Sequence, residues 1–404
     1  MPDEARPSEP VNLPYMPAVP TPTQEGPAGL RFDFNEGCRV LAPDDGRSWR
    51  VRLADLDTGN TLFETSGEFR AGLVRSAKRY FVRFRIEAWQ DGELVLSHDY
   101  DARDRDVMVQ FYPHTIGDGI GWFPNAVRFQ QRHGCRLTCA MGEKLIPLFR
   151  DAYPQVEFVP YDAVDTGRFY ASYIIGAFFD ELGTTLQPTD VRLVGLHRHA
   201  AYILGLDPDE APPRIALDDD TRPIAEPYVC IATQATGQSK YWKNPAGWPE
   251  IVRYLKECGY RVICIDQSAL HGHGGSWNRI PAEAADETGD RPLQERARWL
   301  KHTDFFIGLS SGLSWLAWAG RHAGGDDQRL HSPDQRIQHA LSYHQLSRLQ
   351  QLLERPAAGV RARRFPALPA PQGHAAPVRM HPADHAGPRE GRAAADSGIW
   401  CYGR

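Results

Sequence analysis

Val107-Met108-Val109-Gln110-Phe111-Tyr112-Pro113-His114-Thr115-Ile116-Gly117-Asp118-Gly119-Ile120-Gly121-Trp122 is the stretch on which the fold turns. Its first five residues form an apolar run of strand length. The glycine-rich turn at Gly117-Asp118-Gly119 then leads into a helix predicted to reach about Arg132. The same grammar repeats downstream, with strands at 136–140 and 156–159 and helices at 142–153 and 190–204. A second series has strands at 228–233, 261–266 and 304–309, helices at 249–258 and 293–302, and a helix starting over 314–319. Two such series predict two doubly wound parallel sheets with a cleft between them, and ligands at the carboxyl ends of the strands.

Upstream, the period is two rather than 3.6. Arg50-Val51-Arg52-Leu53 and Tyr80-Phe81-Val82-Arg83-Phe84-Arg85-Ile86 alternate between turn signals such as Asp57-Thr58-Gly59-Asn60 and Gln90-Asp91-Gly92. The predicted organisation is a Pro-rich disordered leader (1–27), a small antiparallel β domain (28–105) and an acceptor-side α/β domain (106–210). A Pro-rich acidic linker (211–227), a donor-side α/β domain (228–319) and a tail (320–404) follow.

The composition fits a soluble globular protein: 404 residues, 42% hydrophobic, 24% charged, net charge −5. Mild acidity argues against a nucleic-acid binder. No apolar run reaches the ~18–20 residues of a membrane span, and the N-terminus lacks a basic-then-apolar signal, so a cytoplasmic location is expected. The charge is uneven. Residues 1–319 carry a net −10 and residues 320–404 a net +5, summing to −5; the tail's 12 basic residues are all Arg.

Several motifs lie at predicted strand ends. Asp118 is either a general base for an acceptor hydroxyl or a helix cap. The surrounding Gly-x-Gly-x-Gly makes a poor dinucleotide fingerprint, since the next strand ends in Cys139-Ala140-Met141 rather than a ribose-binding acid; its glycines are expected to let backbone approach a ligand. The polar loop 234–240, with Thr236, Ser239 and Lys240, suits a diphosphate or is an ordinary surface loop. Asp266 and Gln267 end the next strand, where an acid or amide reads a ribose or base. Ser310-Ser311-Gly312-Leu313 joins a strand to a helix N-terminus, an anion site or a simple cap. Cys135, Cys139, Cys230 and Cys264 read as buried and reduced. His271-Gly272-His273 falls in a glycine-rich loop without further metal ligands. Trp242, Trp248 and Trp277 read first as core.

In this order the motifs resemble the bacterial autotransporter heptosyltransferases, of the GT-B heptosyltransferase class. The resemblance covers about 28–319. It is carried by the Gly117-Asp118 loop, Phe129-Gln130-Gln131-Arg132-His133-Gly134-Cys135, Gln187-Pro188-Thr189-Asp190, Tyr228-Val229-Cys230-Ile231-Ala232, Lys240-Tyr241-Trp242 and Gly308-Leu309-Ser310-Ser311-Gly312-Leu313-Ser314-Trp315-Leu316-Ala317. It implies a GT-B-like pair of sheets and transfer of heptose from ADP-heptose to Ser hydroxyls of an autotransporter adhesin. It also implies Asp118 as base, Lys240 and the Ser310-Ser311-Gly312 turn at the donor diphosphate, and a homo-oligomeric ring. Two other readings are a GT-B transferase with another nucleotide sugar or a lipopolysaccharide acceptor, and a catalytically dead assembly module.

The resemblance ends at Ala319-Gly320. The family continues with four iron-binding cysteines, spaced Cys-x-x-Cys, 15 residues, Cys, 11 residues, Cys; here only Cys401 follows the break. A one-base frameshift accounts for this. Met380-His381 must be encoded ATG-CAY, which contains TGC, a cysteine codon, one base later. With CTG leucines, positions 349, 352 and 368 yield cysteines too, recovering the family spacing. The expectation is a truncated second sheet with an exposed edge, a largely disordered tail, no metal ligands and weak or absent activity.

Overall fold

The computed structural model describes residues 15–65, 67–179, 183–237, 240–273, 276–320, 340–341 and 399–403. The N-terminal strands are β1 (Gln24–Glu25), β2 (Arg31–Asn35), β3 (Arg39–Ala42), β4 (Trp49–Asp55), β5 (Thr61–Glu64), β6 (Gly72–Arg75), β7 (Phe84–Gln90) and β8 (Glu93–Asp99). Next come β9 (Asp106–Phe111), α1 (Ile116–His133), β10 (Arg136–Met141), α2 (Ile146–Phe149), β11 (Glu157–Pro160), β12 (Ala171–Ile175), α3 (Gly183–Leu186), α4 (Val191–Val194) and α5 (Leu196–Ile203). The second series is β13 (Tyr228–Ala232), α6 (Gly247–Glu257), β14 (Arg261–Cys264), β15 (Leu270–His273), β16 (Ser276–Arg279), β17 (Ala285–Asp286), α7 (Leu293–His302), β18 (Phe305–Leu309) and α8 (Gly312–Gly320). Two short strands, β19 (Ala340–Leu341) and β20 (Ile399–Gly403), close the chain.

Two units result. The first takes the chain up to 223 with α7 and α8; the second takes 224–289, 303–311 and the last two strands. The predicted donor-side boundary is therefore corrected, because α8 packs on α1, and α7 on α2 and α8. The fold class is the predicted one, antiparallel strands ahead of two parallel α/β sheets.

In the first unit the strand order is β11-β10-β9-β12-β2-β3-β6, parallel from β11 to β2 and antiparallel beyond. A separate antiparallel sheet, β5-β4-β7-β8, stands apart. Half of the β region thus extends the parallel sheet. The reason lies in β2, where Phe32 and Phe34 on one face and Asp33 and Asn35 on the other are all buried. A strand covered on both faces needs a neighbour at each edge. On its polar face Arg39 donates bidentately to Asp33 and Asn35 also donates to Asp33, while the buried Asn35 Oδ1 has no hydrogen-bond partner among the described residues.

The leader is ordered from residue 15, which corrects the expectation of disorder over 15–27. Tyr15 is buried against Ile174, Phe178 and Leu186. Met16 and Gln110 exchange two hydrogen bonds, at 3.0 and 2.9 Å. Ala18 N–H donates to Glu36, Arg39 to Val19 O, and Thr23 N–H to Asp33. A proline-rich segment forms few ladder bonds of its own, and here polar side chains of the sheet supply the partners. Residues 1–14 lie outside the described residues.

In the second unit the order is β17-β14-β13-β18-β20-β19, parallel as far as β18. Its core gathers Val229, Ile231, Trp248, Ile251, Val252, Leu255 and Val262. The expected exposed edge at β18 is corrected: β20 pairs with it antiparallel, from Phe305↔Gly403 to Leu309↔Ile399. A right-handed crossover would deliver a parallel strand at this position. The expected tail disorder falls on residues outside those described. A hairpin, β15–β16, replaces the glycine-rich loop expected around His271.

Candidate active site

β9 runs between β10 and β12, and the chain leaving it enters α1 with Thr115 as N-cap. Asp118 is the helix's third residue and half-exposed. Its Oδ2 accepts from Thr115 Oγ1 at 2.7 Å. The Thr115 side chain makes no capping bond to the backbone. Among the described residues Asp118 likewise accepts from no backbone N–H. Oδ1 has no hydrogen-bond partner among the described residues.

The three glycines around it serve packing, which corrects the expected ligand approach. A Cβ on Gly117 would lie 2.5 Å from Trp315 Cδ1, one on Gly119 2.4 Å from Leu145 Cδ1, and one on Gly121 2.7 Å from Leu196 Cδ2. The glycines lie within the helix, not in a turn before it. Sequence reading also missed Tyr15, whose hydroxyl donates to Ile175 O at 3.3 Å. Burial, and then the charges of Tyr112 and Asp118, push its phenol well above the ordinary value. His197 was missed as well. Burial lowers its pKa to about 4 against the opposing effect of a backbone hydrogen bond at Gly121. Glu210 Oε1 is 3.2 Å from its Nε2, yet Nε2 has no hydrogen bond, so at neutral pH the contact joins an uncharged imidazole to a carboxyl group. No local sequence signal marks either residue.

In the second unit, the adjacent strands β14, β13 and β18 bring three predicted motifs to one sheet edge. Asp266, 1% exposed, faces inward. It accepts from Thr233 N–H at 2.7 Å, Thr233 Oγ1 at 2.9 Å and Gln234 N–H at 3.3 Å. Burial raises its carboxyl pKa, and those hydrogen bonds oppose the rise. Its predicted donor contact is therefore corrected, because Asp266 pins the turn after β13 and presents nothing to a ligand. Thr236, Lys240 and Gln267 are exposed, and Lys240 N–H closes its turn on Gly237 O at 3.0 Å. Ser239 lies outside the described residues. Ser310, Ser311, Gly312 and Leu313 are half-buried at the strand-to-helix junction; Ser311 Oγ is buried without a hydrogen-bond partner. Trp248 is core, Trp242 packs on it with ring centroids 5.6 Å apart, and Trp277 is exposed.

The iron that the resemblance implies does not fit the residues described. Among them no group of three or more His, Cys, Asp or Glu is placed to hold a metal. Burial raises the Cys38, Cys139 and Cys264 thiols well above their usual value and Cys135 to about 11, as expected of cysteines packed in the core. Also among the described residues, no helix is long and apolar enough to cross a membrane.

Residues 26–92 match the family model of the glycosyltransferase TibC N-terminal domain. The autotransporter heptosyltransferase TibC of Escherichia coli O78:H11 is 51% identical over 303 residues, 74% of this chain and 73% of TibC. The inactive autotransporter heptosyltransferase BimC of Burkholderia thailandensis is 45% identical over 305 residues, 76% of this chain and 71% of BimC. A crystal structure of dodecameric iron-containing TibC in complex with ADP-D-β-D-heptose superposes with a TM-score of 0.71 at 42% identity, covering 82% of this chain and 94% of that one. With half of the residues retained over three-quarters of each chain, this protein belongs to the autotransporter heptosyltransferases.

Proposed function

We propose that this fold transfers heptose from ADP-heptose to Ser hydroxyls of an autotransporter adhesin in the cytoplasm, with Asp118 as general base. The observation that carries the reading is the state of Asp118. One oxygen is fixed by Thr115, and the other has no hydrogen-bond partner among the described residues, in the first turn of the helix that follows a central strand. In the reaction Oδ1 takes the proton of the Ser hydroxyl, and the Ser oxygen bonds to the anomeric carbon. The bond from that carbon to the phosphate oxygen breaks, and its electron pair leaves with ADP. Lys240, Thr236, Ser239 and the Ser310–Leu313 turn receive the diphosphate charge, with Gln267 nearby at the same sheet edge. ADP-heptose is the ligand of the TibC crystal structure, which supports this donor.

A second reading is an inactive product. It is favoured by the relative named inactive, and by the end of the resemblance at Gly320 with a single cysteine beyond it. Mass spectrometry of an adhesin passenger incubated with ADP-heptose tests both. The chain as written should transfer far more slowly than TibC, and Asp118→Asn should abolish the remainder. A rate matching TibC would remove the second reading, and no transfer by a frame-restored chain would remove the first. Iron analysis of the purified chain should find less than one iron per chain, and the coding DNA decides the frameshift directly.

A further inference from the structure

α8 packs against α1 through one large side chain. Trp315 lies over Gly117 and Gly121, which sit one turn apart on the same face of α1. A Cβ on Gly117 would meet Trp315 at 2.5 Å, and one on Gly121 at 3.5 Å. Three residues before Trp315 in the same interface, Gly312 lies on Ile116; a Cβ there would be 2.8 Å from Ile116 Cβ. On its other side the Trp315 indole meets the His197 ring edge-on, with centroids 4.8 Å apart, and Trp318 at 5.5 Å and 90°. The ring is thus held between α1 and the aromatic group of α5 and α8.

Asp118 lies between the two glycines in sequence. Its carboxylate direction is fixed by the rotation of the first turns of α1 and by the Thr115 bond. We propose that Trp315 is a positioning residue for Asp118: its indole sets the rotation of the α1 N-terminus and so aims the free Oδ1. Glycines at 117 and 121 are then required because any side chain would displace the indole. A displacement of about 1 Å at a reacting group costs on the order of 100-fold in rate. This inference rests on Asp118 being the base.

The full-length wild type, W315A, W315F, G117A and G117A/W315A separate the two claims. Hydrogen exchange of the segment 113–125 should speed up several-fold in W315A and G117A, with α6 and the β5-β4-β7-β8 sheet unchanged. Unchanged exchange in 113–125 overturns the proposal whether or not the chain transfers sugar. Where transfer is measurable, kcat should fall about tenfold or more in G117A and W315A, with ADP affinity within about twofold. W315F should recover part of the rate, and the double variant should exceed G117A, because removing the indole relieves the clash. A fall in ADP affinity that accounts for the whole loss, or effects that simply multiply in the double variant, would also overturn it. Wild-type inactivity with the expected exchange pattern would instead favour the inactive product and leave the hold of Trp315 on the α1 N-terminus standing.

Discussion

Asp118 and Asp266 both follow a parallel strand, Asp118 in the first turn of α1 after β9 and Asp266 two residues past β14, and their surroundings are opposite. Asp118 is half-exposed with one oxygen held by a neighbouring hydroxyl. Asp266 is buried and accepts from two backbone N–H groups and a hydroxyl. Ligands gather at this edge of such sheets, but place alone does not make a carboxylate functional. A group whose lone pairs are already taken by the protein has nothing left for a substrate. One acid is therefore available for chemistry and the other for architecture.

The sharpest test separates the two roles. Asp118→Asn should lower transfer by about 10²–10⁴-fold, the usual share of a general base, while the melting temperature stays within a degree or two. A variant that keeps its rate would end the contrast at once. Asp266→Ala should do the reverse. It leaves two buried N–H groups and a hydroxyl without an acceptor, a loss of about 3 kcal/mol, read as a lower urea midpoint. Unchanged stability would mean that water replaces the carboxylate.

The contrast shows what a sequence conveys. Strand β9 was read at 107–111 and found at Asp106–Phe111; β13, β14 and β18 were legible in the same way, because buried parallel strands are short apolar runs between turn signals. β12 was missed although Ala171–Ile175 is buried throughout, since Ala-Ser-Tyr dilutes its apolar run. The predicted helix over 190–204 is broken at Gly195, whose φ of 76° leaves the helical region. The candidate residues were found by their types, but their states were not. The partners of Gly117, Gly119 and Gly121 lie at Trp315, Leu145 and Leu196, and no local pattern reveals contacts between distant segments. The same holds for Tyr15, held by Ile175 from 160 residues away.

Lys240 comes below both carboxylates in expected effect. Its exposure fits a cation waiting for an anion. Lys240→Ala should weaken ADP binding roughly tenfold, the size of one charge-assisted hydrogen bond. Calorimetric titration with ADP measures it, and equal affinities would return the loop to an ordinary surface role.

The smallest effect concerns pH. Burial holds the Asp266 pKa above that of the unfolded chain. Between those two values the folded protein binds the extra proton. Stability from this group is therefore full below the unfolded value of about 4 and falls as pH rises through the folded one. Asp266→Asn removes the titrating group while nearly preserving its shape. Wild type minus variant, followed by urea unfolding from about pH 4 upward, should decline and then level. A difference that instead grows with pH would mean that the hydrogen bonds from Thr233 and Gln234 outweigh burial. Asp266 would then be held as a carboxylate, its charge carried inside the core by those donors.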